Sequence, residues 1–237
     1  MSMVATVRTP AGIALVGDTL TSITRTQVKP DGTKTEQMYP ASHTATKVFE
    51  FLERFGVGAT GQPFVDGAPN GVPRSIGSLI RRANKSLAAI KGKPIKTCAN
   101  RLAEFIHQHV GQTSGMIELL VCGYQNDVPV SVTARITKDG VSLEEPNPGL
   151  GIAVIGEGFV GQALWDLATA RKTEPAVLFC SLRDAIDHGT FLVAVTRDYQ
   201  RFFQEPQTVG GGIDVATITR QEEFTWVKRS SHVQPEK

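Results

Sequence analysis

Strand-length apolar runs alternate along this chain with longer segments whose apolar residues recur at helical spacing. Residues 4–7 and 13–16 are two short runs around Arg8-Thr9-Pro10-Ala11-Gly12, whose proline and glycine mark a turn. The spacing predicts an antiparallel hairpin that returns Asp18 to the start of the chain. Residues 19–44 are mostly polar, with Lys29-Pro30-Asp31-Gly32 as a hairpin tip, and 62–73 reads as a loop. Ile76, Leu79, Ile80, Ala83, Leu87 and Ile90 form a helical stripe, with Arg81, Arg82 and Lys85 off it. Lys91-Gly92-Lys93-Pro94 ends that helix, and a second one carries Cys98, Leu102, Phe105 and Ile106 on one face. Residues 116–124 make an apolar strand, and 128–136 alternate apolar residues with Ser131, Thr133 and Arg135. Lys138-Asp139-Gly140 turns into another strand, and residues 151–155 run to a corner at Gly156-Glu157-Gly158. The next helix, 159–170, is predicted to turn Val160, Ala163, Leu164, Leu167 and Ala168 inward, with Trp165 and Asp166 off the stripe. A helical region over 175–204, interrupted at Gly189, precedes Gly210-Gly211-Gly212 and a β-branched run to Thr219. This order of elements predicts an α+β fold with two antiparallel sheets between helix layers, a four-layer αββα sandwich.

At 237 residues the chain suits one domain over 1–237, its core spanning about 2–219 and its polar tail 226–237. A net charge of +2 gives no reason to expect nucleic acid or an anionic membrane as partner. Cys98, Cys122 and Cys180 are odd in number and far apart, which predicts reduced, packed thiols rather than a disulfide or zinc framework. His107 and His109 lie two apart and face different sides of a helix, a poor metal pair. Neither metal nor cofactor is expected. No run approaches 18 apolar residues and no secretion signal precedes Ser2, so a soluble, cytoplasmic protein is expected. The three glycines are not a phosphate loop, because no lysine follows them.

The candidate chemistry starts at Ser2. Removal of Met1 is favoured by the small side chain that follows and would make Ser2 amino-terminal. A terminal serine carries nucleophile and base on one residue, because its α-amine, with a pKa of about 7.7–8.0, can take the hydroxyl proton. Asp18 follows sixteen positions on. Lys47 in Thr46-Lys47-Val48-Phe49 precedes Gly61 of Gly56-Val57-Gly58-Ala59-Thr60-Gly61 by fourteen. With the glycine corner at 210–212, these anchors resemble the proteasome β-type peptidases and the bacterial HslV and Anbu proteases, members of the amino-terminal-nucleophile hydrolases.

That resemblance implies a threonine-type peptidase with serine as nucleophile. Lys47 would promote deprotonation of Ser2, Asp18 would hold the ammonium, and the Gly61 N–H would face the oxyanion. It also implies that Ser22 bonds the substrate backbone, and that Thr21, Ala45, Phe49 and Ala59 line a modest, mostly apolar specificity pocket. Its further implications are a peptide or unfolded-protein substrate, a homo-oligomeric ring and a separate ATP-dependent unfoldase, since the chain has no nucleotide motif. The chain begins at the nucleophile, which favours the bacterial proteasome-like branch over a gate-forming α-type subunit. Three positions depart from the family. Glu157 stands where proteasome members have a serine, and Pro206 and Val209 stand where an aspartate and a serine are found. Glu157 either supplies the missing carboxylate or is an exposed corner residue. The departures keep two alternatives open, a catalytically inactive structural subunit and an amidase or acylase for small amides.

Overall fold

The structure, a computed structural model, describes residues 2–29, 31–65, 73–110, 115–173, 176–203 and 206–230. The chain opens with β1 (Met3–Thr9) and β2 (Gly12–Asp18), then β3 (Thr21–Val28) and β4 (Lys34–Ser42). Next come β5 (Val48–Phe51), β6 (Phe55–Gly61), the short β7 (Phe64–Val65) and β8 (Arg74–Ser75), and helices α1 (Ile76–Ser86) and α2 (Ile95–His107). The middle of the chain forms β9 (Ile117–Gln125), β10 (Val128–Thr137), β11 (Gly140–Leu143), β12 (Asn147–Pro148) and β13 (Gly151–Gly156). Helices α3 (Phe159–Arg171) and α4 (Leu182–Phe203) lead to β14 (Ile213–Ile218) and β15 (Phe224–Lys228). The result is a mixed α/β fold with antiparallel sheets. One sheet has the order β13-β1-β2-β14-β15, and the other runs β11-β10-β9-β6-β5 with β12 against β10.

Period-two alternation sends opposite faces of each central strand into different cores. On β1 and β2, Met3, Ala5, Val7, Ala14 and Val16 pack with Ala185, Leu192 and Val193 of α4. The intervening Val4, Ile13 and Leu15 meet Leu120 and Cys122 of β9 between the two sheets. On β9, Ile117, Leu119 and Val121 instead join Leu79, Ile80, Leu102 and Ile106 of α1 and α2. Burial on both faces explains why 116–124 reads as an unbroken apolar run. On β6, Phe55, Val57 and Ala59 face α1 and α2, whereas Gly56 and Gly58 face the other sheet. A Cβ on Gly58 would lie 2.3 Å from Val4 Cγ1, so glycine sets how closely the sheets approach. Arg8 is buried among these strands with its Nη1 donating to the Asn147 carbonyl, and burial weakens its hold on its proton.

The predicted first hairpin, the tip at 30–32 and the stripes of α1 and α2 are present, with Pro30 outside the described residues. Four expectations need correction. The 62–73 segment is not wholly loop, because Phe64 and Val65 pair with Ser75 and Arg74; residues 66–72 lie outside the described ones. Helix α4 runs through Gly189 without a break, since a Cβ there would press within 2.7 Å of Val16 Cγ2 and the glycine serves to seat the helix on its sheet. Residues 226–228 belong to the sheet rather than to a tail, since Trp226 pairs with Ala216 as part of β15; residues 231–237 lie outside the described ones. On α3 only Val160 of the predicted inward stripe is buried; Leu164 and Ala168 are half-buried, and Ala163 and Leu167 are exposed.

Candidate active site

Asp18, at the end of β2, is the node at which the three sequence anchors meet. Its Oδ1 accepts the Met3 N–H of β1 at 2.9 Å and the Lys47 ammonium at 2.7 Å. Its Oδ2 accepts the Leu20 N–H at 3.1 Å and the Gly210 N–H at 3.0 Å. Three backbone donors and one cation thus solvate a carboxylate that water does not reach. Lys47, just before β5, is equally buried and donates also to the Leu20 carbonyl, while its own carbonyl accepts the Ala59 N–H of β6 at 2.9 Å. Burial lowers the Lys47 pKa, and the adjacent Asp18 opposes that shift.

The glycine run at 210–212 closes the node from the far end of the chain. Gly211 has φ +69°, and a Cβ on it would lie 2.6 Å from Thr19 Oγ1 and 2.7 Å from the His43 carbonyl. Only glycine fits there without strain. The Thr19 N–H donates to the carbonyls of Gly210 and Gly212, both at 3.1 Å, tying the corner to the end of β2.

Above the node lies a cavity of about 440 Å³ bordered by Ser2, Lys47, Thr60 and Gly61. Thr21, Ser22, Ala45, Phe49 and Ala59 border it too, so every residue singled out for substrate contact faces one space. Ser22 Oγ donates to the Gln207 carbonyl at 3.4 Å. Gly61 adopts φ +87°, and a Cβ would fall 2.2 Å from the Met116 carbonyl, so the turn at the end of β6 requires glycine. Ser2 is held by its own carbonyl, which accepts the Glu157 N–H at 2.8 Å. Gly156 makes that approach possible, because a Cβ there would sit 1.9 Å from the Ser2 carbonyl oxygen. Glu157 contributes this main-chain donor, and its carboxylate does not border the cavity.

Two residues at the site were not singled out from the sequence. Glu118 on β9 accepts the Gly156 N–H at 3.1 Å and is paired with Arg135 Nε at 3.0 Å, bracing the corner that holds Ser2. Its signal was the lone charge within the apolar run at 116–124. Arg81 of α1 also borders the cavity; in the sequence it was only one of three basic residues off the apolar stripe. At positions 206–209, Gln200 of α4 accepts the N–H groups of Thr208 and Val209, and Val209 is buried in the cluster beneath α4. Among the described residues no group of three or more His, Cys, Asp or Glu is placed to hold a metal, and no helix is long and apolar enough to cross a membrane.

Two antiparallel sheets carrying helices, with the chain start buried beside the end of β2, make a fold of the proteasome-like class. Among solved structures the chain is similar to Anbu (ancestral beta-subunit) from Yersinia bercovieri, with a TM-score of 0.57 and 16% identity over 98% of this chain and 88% of that one. At that identity the likeness is one of fold. No family model matches the sequence, and no curated relative matches it.

Proposed function

We propose that the chain is a single amino-terminal-nucleophile domain, stacked as a four-layer αββα sandwich, that hydrolyses peptide bonds with Ser2 after removal of Met1. The observation that carries the reading is the buried Lys47–Asp18 pair at 2.7 Å, at a cavity that Ser2 and Gly61 also border. Ser2 Oγ attacks the substrate carbonyl and its proton passes to the freed α-amine. The Lys47 cation, kept charged by Asp18, favours loss of that proton, and the Gly61 N–H receives the oxyanion. The C–N bond then breaks as the leaving amine takes the proton. Water adds to the resulting ester, releases the acid and restores the hydroxyl. Thr21, Ser22, Ala45, Phe49 and Ala59 contact the substrate, a peptide or an unfolded protein. Assembly into a homo-oligomeric ring in the cytoplasm, served by a separate ATP-dependent unfoldase, extends the same reading.

Intact mass spectrometry of untagged protein, with and without a peptide epoxyketone, tests it. Loss of Met1 and one adduct per chain at Ser2, absent in Ser2→Ala and slowed in Lys47→Ala, is the expected result. Retained Met1 with no adduct sinks it. The second reading, a silent structural subunit, is favoured by the positions around 206–209, where buried Val209 and the Gln200 network stand in place of the family's carboxylate and hydroxyl.

A further inference from the structure

Arg81 opens on the Ser2 cavity, and none of the described residues neutralises it. Its Nη1 lies 3.7 Å from where a Cβ on Gly77 would sit, with Phe49 Cε1 2.7 Å from the same point. The guanidinium therefore lies over the first turn of α1, beside the aromatic ring that borders the cavity. Among the described residues no carboxylate comes within 4.0 Å of Arg81, in contrast to Lys47, whose charge Asp18 answers. Among the described residues no aspartate or glutamate borders the cavity. The amino-terminal turn of α1, Ser75 to Gly77, faces the same space and holds no acidic residue, so its dipole adds positive potential. A cavity charged with one sign only favours a ligand group of the other.

We infer that this cavity selects peptides with an acidic side chain, aspartate or glutamate, on the residue that delivers its carbonyl to Ser2, and that Arg81 is the residue determining that specificity. The inference rests on the peptidase reading. A basic side chain in the same place meets Arg81 as a like charge, and an apolar one leaves the guanidinium unanswered. Because Arg81 is exposed to solvent when the cavity is empty, the expected preference is about fivefold, the upper range for a partly solvated ion pair.

The test compares kcat/KM for fluorogenic peptide amides that differ only in glutamate, glutamine or lysine at the scissile residue, and labelling rates at Ser2 for the matching epoxyketones. Wild type is expected to favour glutamate over glutamine about fivefold, and the ratio shrinks as salt rises to about 0.5 M. Arg81→Gln brings the ratio to about one, and Arg81→Glu reverses the order in favour of lysine. Arg82→Gln, a neighbouring exposed charge that does not border the cavity, keeps the wild-type ratio. Ser2-dependent turnover with equal rates for glutamate and glutamine, or a preference that survives Arg81→Gln, overturns the inference and leaves the peptidase reading standing. Absence of both turnover and labelling with every peptide overturns the two together.

Discussion

Lys47 and Lys91 each hold a carboxylate, yet they belong to different regions of the molecule and do different things there. Lys47 and Asp18 are 7% and 1% exposed in their side chains, whereas Lys91 and Glu53 are 43% and 66% exposed. Water solvates the second pair whether or not it forms. The first has no solvent to fall back on, so its partners are fixed by the fold and include backbone donors from β1 and from the glycine corner. The same division separates Leu102 of α2, fully buried, from Leu167 of α3, 49% exposed. It also separates the buried Cys122 from the half-buried Cys180. What a residue type does in this protein depends on which of these two regions it occupies.

The largest effect is expected from Asp18→Ala, which leaves the Lys47 ammonium and three N–H groups without their acceptor and lowers stability by about 3–5 kcal/mol in urea unfolding. Lys91→Ala should leave the urea midpoint near that of wild type, and an equal loss for both variants would dissolve the comparison. Next comes Leu102→Ala, at about 2–5 kcal/mol, against less than about 0.5 kcal/mol for Leu167→Ala in dilute protein.

A pH series sharpens the contrast at Lys47. Its folded pKa lies below 10.5 through burial, so between the two values the unfolded chain binds more protons than the native one. That contribution is complete above about 10.5 and is lost as pH falls through the folded pKa; stability therefore rises with pH in this window. Wild type should show this rise relative to Lys47→Met, and parallel profiles would refute it. The smallest effect is one of reactivity. Burial pushes the Cys122 thiol up to about 12 and raises that of Cys98 as well. At pH about 8, where only thiolate reacts, a maleimide should modify Cys180 alone in native protein and all three cysteines in denaturant.

Much of this was legible in the chain. The hairpin from β1 to β2 followed from its turn residues, and the α1 and α2 stripes followed from period and were buried on the sides they predicted. Ser2, Asp18, Lys47 and Gly61 were singled out because their spacing resembles that of the proteasome-like peptidases, and the fold brings Ser2, Lys47 and Gly61 to one cavity with Asp18 beneath it. Arg81 was visible only as a charge off a helical stripe, because period tells which face is apolar and not what the polar face looks onto. Glu118 stood out as the lone charge in the apolar run at 116–124, but a run buried on both faces does not tell which face the charge takes or that it braces the corner at Gly156.

Composition and period also could not say which apolar stripe finds a partner. The α3 segment reads as helix as readily as α2, but its apolar residues are spread around the helix rather than gathered on one face, and how much of it is covered is decided by long-range packing. Likewise Gly189 reads as a helix breaker when propensity is summed locally. In the fold the missing side chain lets α4 settle on Val16, and the packing outweighs the local cost. Local sequence determined the elements, their apolar faces and the residues able to do chemistry. Only the tertiary structure decided which faces are covered, that Asp18 receives donors from both ends of the chain, and that Arg81 shares a cavity with Ser2, because each depends on residues far apart in sequence meeting in a water-poor interior.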